Sequence, residues 1–151
     1  MRGSTSGEDR YVYRRVPDGL WRKGRTGPKP EAFVPRPGQT MSVFDATMTT
    51  ARQVLQNQID TWRNLLGSPD ADQRARAEKW LARTNGTVEG LVRCGWGVVR
   101  LPVSALMTRG FVLSAPEPNG HQNVTGDYEL YDQELSELTE VAEVEADSVR
   151  G

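Results

Sequence analysis

His121 is the one histidine in this chain of 151 residues, and no other side chain has an ordinary pKa so close to neutrality. An acid–base step near pH 7 would use it first. Ser42 could serve as a nucleophile beside it, provided a third group orients the imidazole, because a hydroxyl needs a base and the base needs a fixed tautomer. Cys94, the single cysteine, sits in an apolar segment and reads as a packed thiol rather than the partner of an imidazole. One His and one Cys cannot build a zinc site of three or four ligands, and the C-terminal acids follow no calcium-loop spacing. The residues alone therefore imply no metal and no cofactor. The plain alternatives stand beside these readings: a histidine after an Asn-Gly turn commonly bonds backbone, and a serine on a strand commonly does no chemistry.

The second chemical feature is the sorting of charge. Residues 1 to 110 carry 18 Lys and Arg against 10 Asp and Glu, whereas residues 111 to 151 carry one Arg against 10 acids, giving net charges of +8 and −9. Such a division points to contact with something of opposite sign, in another molecule or in the same one. Arg14, Arg15, Arg22, Arg25 and Arg36, interleaved with Trp21 and tyrosines, have the makeup of a partner-binding or nucleic-acid surface: cations for phosphate and rings for stacking. Against nucleic acid stand the pI of about 5.9 and the lack of a recognisable binding module. No apolar run approaches the roughly 20 residues that span a bilayer, and the opening Met1 to Gly7 lacks the apolar stretch of a signal peptide, so no membrane role and a cytoplasmic setting are expected.

The elements that must position these groups are short. Residues 1–10 read as disordered. Tyr11 to Val16 alternates as a strand, and the following stretch to residue 40 holds five of the nine prolines, so it is either a loop draped over the body by Trp21 and Phe33 or a segment that a partner orders. Met41 to Phe44 reads as a strand leading into a helix over about 49–66, with Ala51, Leu55, Ile59 and Trp62 at helical spacing. Ser68-Pro69-Asp70 opens a second helix that Asn85-Gly86 closes. Gly97 to Leu101 is a strand, Pro102 to Met107 a helical turn, Phe111 to Leu113 a strand, residues 116–120 a turn, and His121 to Thr125 an edge strand. Tyr131, Leu135 and Leu138 line one face of an acidic helix over about 129–146, a face suited to a groove on another protein. The expected fold is α+β: a small sheet of short strands, two central helices and a C-terminal acidic helix, with one domain over 11–126 and an acidic tail over 127–151.

The order Tyr13-Arg14-Arg15, Ala32-Phe33, Met41-Ser42-Val43-Phe44, Gly97-Val98-Val99-Arg100-Leu101-Pro102, Gly110-Phe111-Val112 and His121 resembles small bacterial proteins of toxin–antitoxin and phage-defence neighbourhoods. That resemblance implies a compact α+β domain, and with the sorting of charge the first expectation is a non-catalytic accessory role that presents the basic loop and the acidic C-terminal helix to another protein of the same complex. Arg14 and Ser42 also resemble the first-strand Arg and later-strand Ser of ADP-ribosyltransferase-like toxins, which would imply NAD as the bound dinucleotide. Those enzymes need a carboxylate or its equivalent on a late strand, a place for which only Gln122 or Glu129 offers itself. A nucleic-acid-binding accessory protein is the third expectation.

Overall fold

Alternation along β1, Tyr11–Val16, divides the molecule into two layers: Val12 and Val16 are fully buried on one face of the strand, while Tyr13 and Arg15 lie on the other. In the computed structural model, which describes residues 10–144, β1 is a central strand. It pairs antiparallel with β2, Met41–Asp45, and with β3, Gly97–Pro102. The sheet is completed by β4, Val112–Leu113, β5, His121–Thr125, and β6, Glu140–Ala142, in the order β4-β5-β2-β1-β3-β6 with all pairings antiparallel. The fold is α+β, as expected from the sequence.

On one face lie α1, Ala51–Leu65, α2, Ala71–Thr84, and α3, Val88–Arg93, which bury Val54, Leu55, Ile59, Trp62 and Leu91 against Phe44 and Val98 of the sheet. Their ends are chemically marked. Thr50 accepts from the Gln53 N–H, Asp70 from Asp72 and Gln73, and Thr87 from Gly90, each satisfying a helix-terminal donor. Asn85 ends α2 in the left-handed conformation.

The other face is covered by the proline-rich segment, by α4, Val103–Thr108, and by α5, Tyr128–Glu137. The segment is draped and tacked down rather than awaiting a partner. Two short 3₁₀ turns, Lys23–Arg25 and Pro30–Phe33, carry it across the sheet, with a bridge between Trp21 and Pro28 and with Phe33 fully buried.

Several boundaries differ from the sequence reading. The acidic helix stops at Glu137 rather than near 146, and the chain turns back as β6 along the otherwise open edge of β3. Thr139 and Val141 favour extended backbone there, and Arg100 on β3 meets Glu140. Residues 127–144 are thus built into the sheet and its covering layer rather than forming a separate tail, while residues 145–151 lie outside the described ones. So do residues 1–9 of the expected disordered start; Arg10 pairs with Asp45. β5 is an interior strand between β4 and β2, not an edge. Asp70, not Ser68, caps α2, and α3 had no expected counterpart because six residues are too few to display a helical period.

Gly90 lies where α3 turns against the end of α2, and a Cβ added there would land on the Thr84 carbonyl, a backbone atom that cannot rotate away. Gly90→Ala should therefore destabilise the protein by about 3 kcal/mol or more, read as a lowered urea midpoint. An unchanged midpoint would mean that α3 does not sit this close.

Candidate functional site

The register of β2 against β5 sets Phe44 opposite His121 and Ser42 opposite Asn123, so all four side chains share the α1 side of the sheet. The histidine then reaches diagonally to the serine: His121 Nε2 lies 3.1 Å from Ser42 Oγ, and His121 Nδ1 lies 3.0 Å from Glu117 Oε2 in the preceding turn. The Phe44 ring leans on the imidazole at 5.4 Å between centroids. With a proton on Nδ1 toward the Glu117 carboxylate, Nε2 presents its lone pair to the Ser42 hydroxyl, which is the arrangement of a general base and a nucleophile. The two residues singled out in the sequence do meet, and Glu117 supplies the third group. Ser42, however, lies within a regular strand between β1 and β5 rather than on an exposed turn. Cys94 does not join this group: its Sγ contacts the Arg83 carbonyl, and both imidazole nitrogens are engaged by Ser42 and Glu117.

Four of the five arginines of the basic block donate to acceptors of the same molecule. Arg14 Nε donates to the Ala32 carbonyl at 2.9 Å and Nη1 to the Ser42 carbonyl at 2.8 Å. Burial, followed by the adjacent charge of Arg15, pushes the Arg14 pKa down to about 10 against a smaller opposing effect of Tyr128. Arg15 Nη1 donates to the Val54 carbonyl of α1 at 3.0 Å, and burial lowers its pKa to about 10 as well. Arg22 donates to the Pro28 carbonyl and to Ser136 Oγ, while Ser136 in turn donates to Pro28; Arg25 reaches the Gly95 carbonyl and lies over the Trp21 ring. Of these residues, which were read as partner-facing, Arg14, Arg22 and Arg25 with the buried Trp21 fasten the proline-rich segment to the body, Arg15 ties β1 to α1, and Arg25 remains exposed.

A similar correction applies to the acidic helix. Its stripe is amphipathic, but Leu135 is fully buried and Tyr131 packs edge-on against Phe111, so both face the chain's own core. Leu138 and Arg36 do remain exposed. Gln122 points to the opposite face from Ser42 and donates to the Ser114 carbonyl, and Glu129 is exposed at the start of α5, so neither joins Ser42 and His121.

A cleft that the sequence reading did not find lies at the other end of the helix layer. Trp62 of α1 and Trp80 of α2 stack at 5.6 Å with planes 9° apart, and Trp96 meets both edge-on. These rings wall a cleft of about 400 Å3 whose rim includes Arg36 and Arg76 and whose lining contains no carboxylate. The Trp96 N–H is buried with no acceptor among the described residues, an unmade bond that typically costs about 1–3 kcal/mol. The signal available in the sequence was Trp62 and Trp80 on successive helices, of which only Trp62 was noted there, at helical spacing.

Among the described residues no group of three His, Cys, Asp or Glu could hold a metal ion, and no helix is long and apolar enough to cross a membrane. Comparisons with protein-family models, with curated proteins and with solved structures return no match.

Replacing Arg14 leaves two carbonyls without their donor. Arg14→Ala should cost about 3 kcal/mol in urea unfolding and speed chymotryptic cleavage after Trp21 and Phe33. Arg14→Lys should recover little, since one ammonium cannot reproduce the fork that reaches both oxygens. Wild-type stability and cleavage in both variants would remove Arg14 from its clamping role.

Proposed function

We propose that this chain is a non-catalytic accessory component that works by contact with another protein, and that the contact surface is the outward side of α5 together with β6. The observation that carries this reading is apolar exposure on an element whose inner side is already anchored. Leu130 is 63% exposed, Val141 52% and Leu138 40%, and they lie among Glu129, Glu137 and Glu140. Large apolar side chains held in solvent on a fixed support, ringed by acids, suit a partner with a basic rim and an apolar centre. β6 is also an edge strand, and an unpaired edge can accept a strand from a partner. A bacterial defence or toxin–antitoxin-type complex is the setting that the sequence resemblance offers for such a partner.

The test is co-purification of tagged protein from the native host. Wild type should retain a stoichiometric partner, and the double variant Leu130→Glu with Val141→Glu should lose it while keeping its melting temperature, because both positions are on the surface. Equal retention by the variant, or no partner for either protein, would overturn the reading.

A second reading is favoured by the Glu117–His121–Ser42 hydrogen bonds: a hydrolytic or acyl-transfer enzyme with Ser42 as nucleophile and His121 as base. It predicts that a fluorophosphonate probe adds to Ser42, detected as a mass shift on its peptide, and that His121→Ala abolishes the adduct. No adduct on wild type would leave the non-catalytic reading in place. The NAD-dependent alternative draws on the same Arg14 and Ser42, and there the Arg14 guanidinium would have to give up the Ala32 and Ser42 carbonyls to hold a dinucleotide.

A further inference from the structure

We infer that the tryptophan-walled cleft is a binding site for a nucleoside phosphate, independent of the contact surface proposed above. Three features of the cleft point to one ligand class. First, its charge is positive and unopposed: Arg36 and Arg76 are exposed, neither has a hydrogen-bond or ion-pair partner for its guanidinium among the described residues, and the lining holds no Asp or Glu. Two guanidiniums without carboxylates form a site for a phosphate dianion. Second, the wall is aromatic, with Trp62 and Trp80 stacked on each other and Trp96 edge-on to both, and about 400 Å3 falls within the range of small-molecule sites. Third, two carboxamides, Gln58 and Gln73, add hydrogen-bonding groups to the lining. The Gln73 side-chain oxygen already accepts from the Ser68 hydroxyl, which leaves its amide N–H groups to donate. A planar base that carries an anionic group matches the aromatic wall, the carboxamides and the two guanidiniums, whereas a cation or a plain hydrocarbon matches only the wall.

This assignment differs from a general nucleic-acid surface in the basic block, because Arg14, Arg15, Arg22 and Arg25 are held by acceptors inside the molecule. Arg36 and Arg76 at the cleft have no such acceptor among the described residues.

The experiment is a calorimetric titration of the full chain with adenosine 5′-monophosphate, in parallel with adenosine and with inorganic phosphate, followed also by tryptophan emission. The monophosphate should bind saturably, change the emission and bind more tightly than either half alone. The double variant Arg36→Ala with Arg76→Ala, both exposed positions, should keep the wild-type melting temperature and weaken binding by roughly tenfold or more. Absence of saturable binding would overturn the proposal, as would equal affinity in the double arginine variant. Phosphate binding as tightly as the nucleotide would show an anion site without a base and overturn the assignment of ligand class.

Discussion

A buried guanidinium with no carboxylate at hand must satisfy its charge with dipoles, and Arg14 does so by bonding two carbonyls that belong to different parts of the chain. One, at Ala32, lies in the proline-rich segment; the other, at Ser42, lies on β2. The second bond is informative about the sheet. β1 pairs with β3 over six residue pairs but with β2 over only two, and beyond the short ladder the Ser42 carbonyl takes its donor from the Arg14 side chain. Once the segment is held, it becomes the floor on which α5 rests, through Arg22, Ser136 and the Pro28 carbonyl. β6 follows α5 directly, so the outer strand of the sheet depends on the same anchor.

The separation of charge along the chain plays a smaller part in this than its size suggests. Between the acidic C-terminal segment and the rest, Arg109 meets Glu134 and Arg100 meets Glu140, with acid side chains 52% and 62% exposed. Pairs so exposed contribute about 0–1 kcal/mol each. Burying Leu135 alone contributes about 1.5–3 kcal/mol, and the Phe111 contacts with Tyr128 and Tyr131 add to it. Apolar packing and the Ser136 bonds hold the segment, and most of its carboxylates remain outward, where they set the character of the surface rather than the fold.

The elements legible in the sequence were those with local signatures. Alternation marked β1, short apolar runs marked β2 and β3, helical spacing marked α1, Ser68-Pro69-Asp70 and Asn85-Gly86 marked the ends of α2, and residues 116–120 marked a turn. What stayed hidden depends on contacts between distant positions. Ser42 and His121 are 79 residues apart and meet only because β5 enters the sheet beside β2 in one register; a slip of one residue would turn the histidine to the opposite face. The acidic stripe was visible, but whether it faced another protein or its own core depended on the position of Phe111. β6 was invisible because it exists only by pairing with β3.

The same dependence explains why the arginines misled. Composition counts cations, and a cation's role follows from the acceptors within its reach. A buried polar group is nearly always bonded, so an arginine that finds carbonyls inside the molecule is a fastener, however much its sequence neighbourhood resembles a phosphate-binding surface. Arg14, Arg15, Arg22 and Arg25 find such carbonyls, and Arg25 also lies over the Trp21 ring. Arg36 and Arg76 do not, although they come from unrelated parts of the chain, one at the end of the proline-rich segment and one on α2. What brings them to one rim is the packing of Trp62, Trp80 and Trp96 beneath them. The aromatic cleft therefore joins one arginine of the basic block, Arg36, to one from α2, Arg76, and neither is drawn off by an acceptor of the molecule among the described residues.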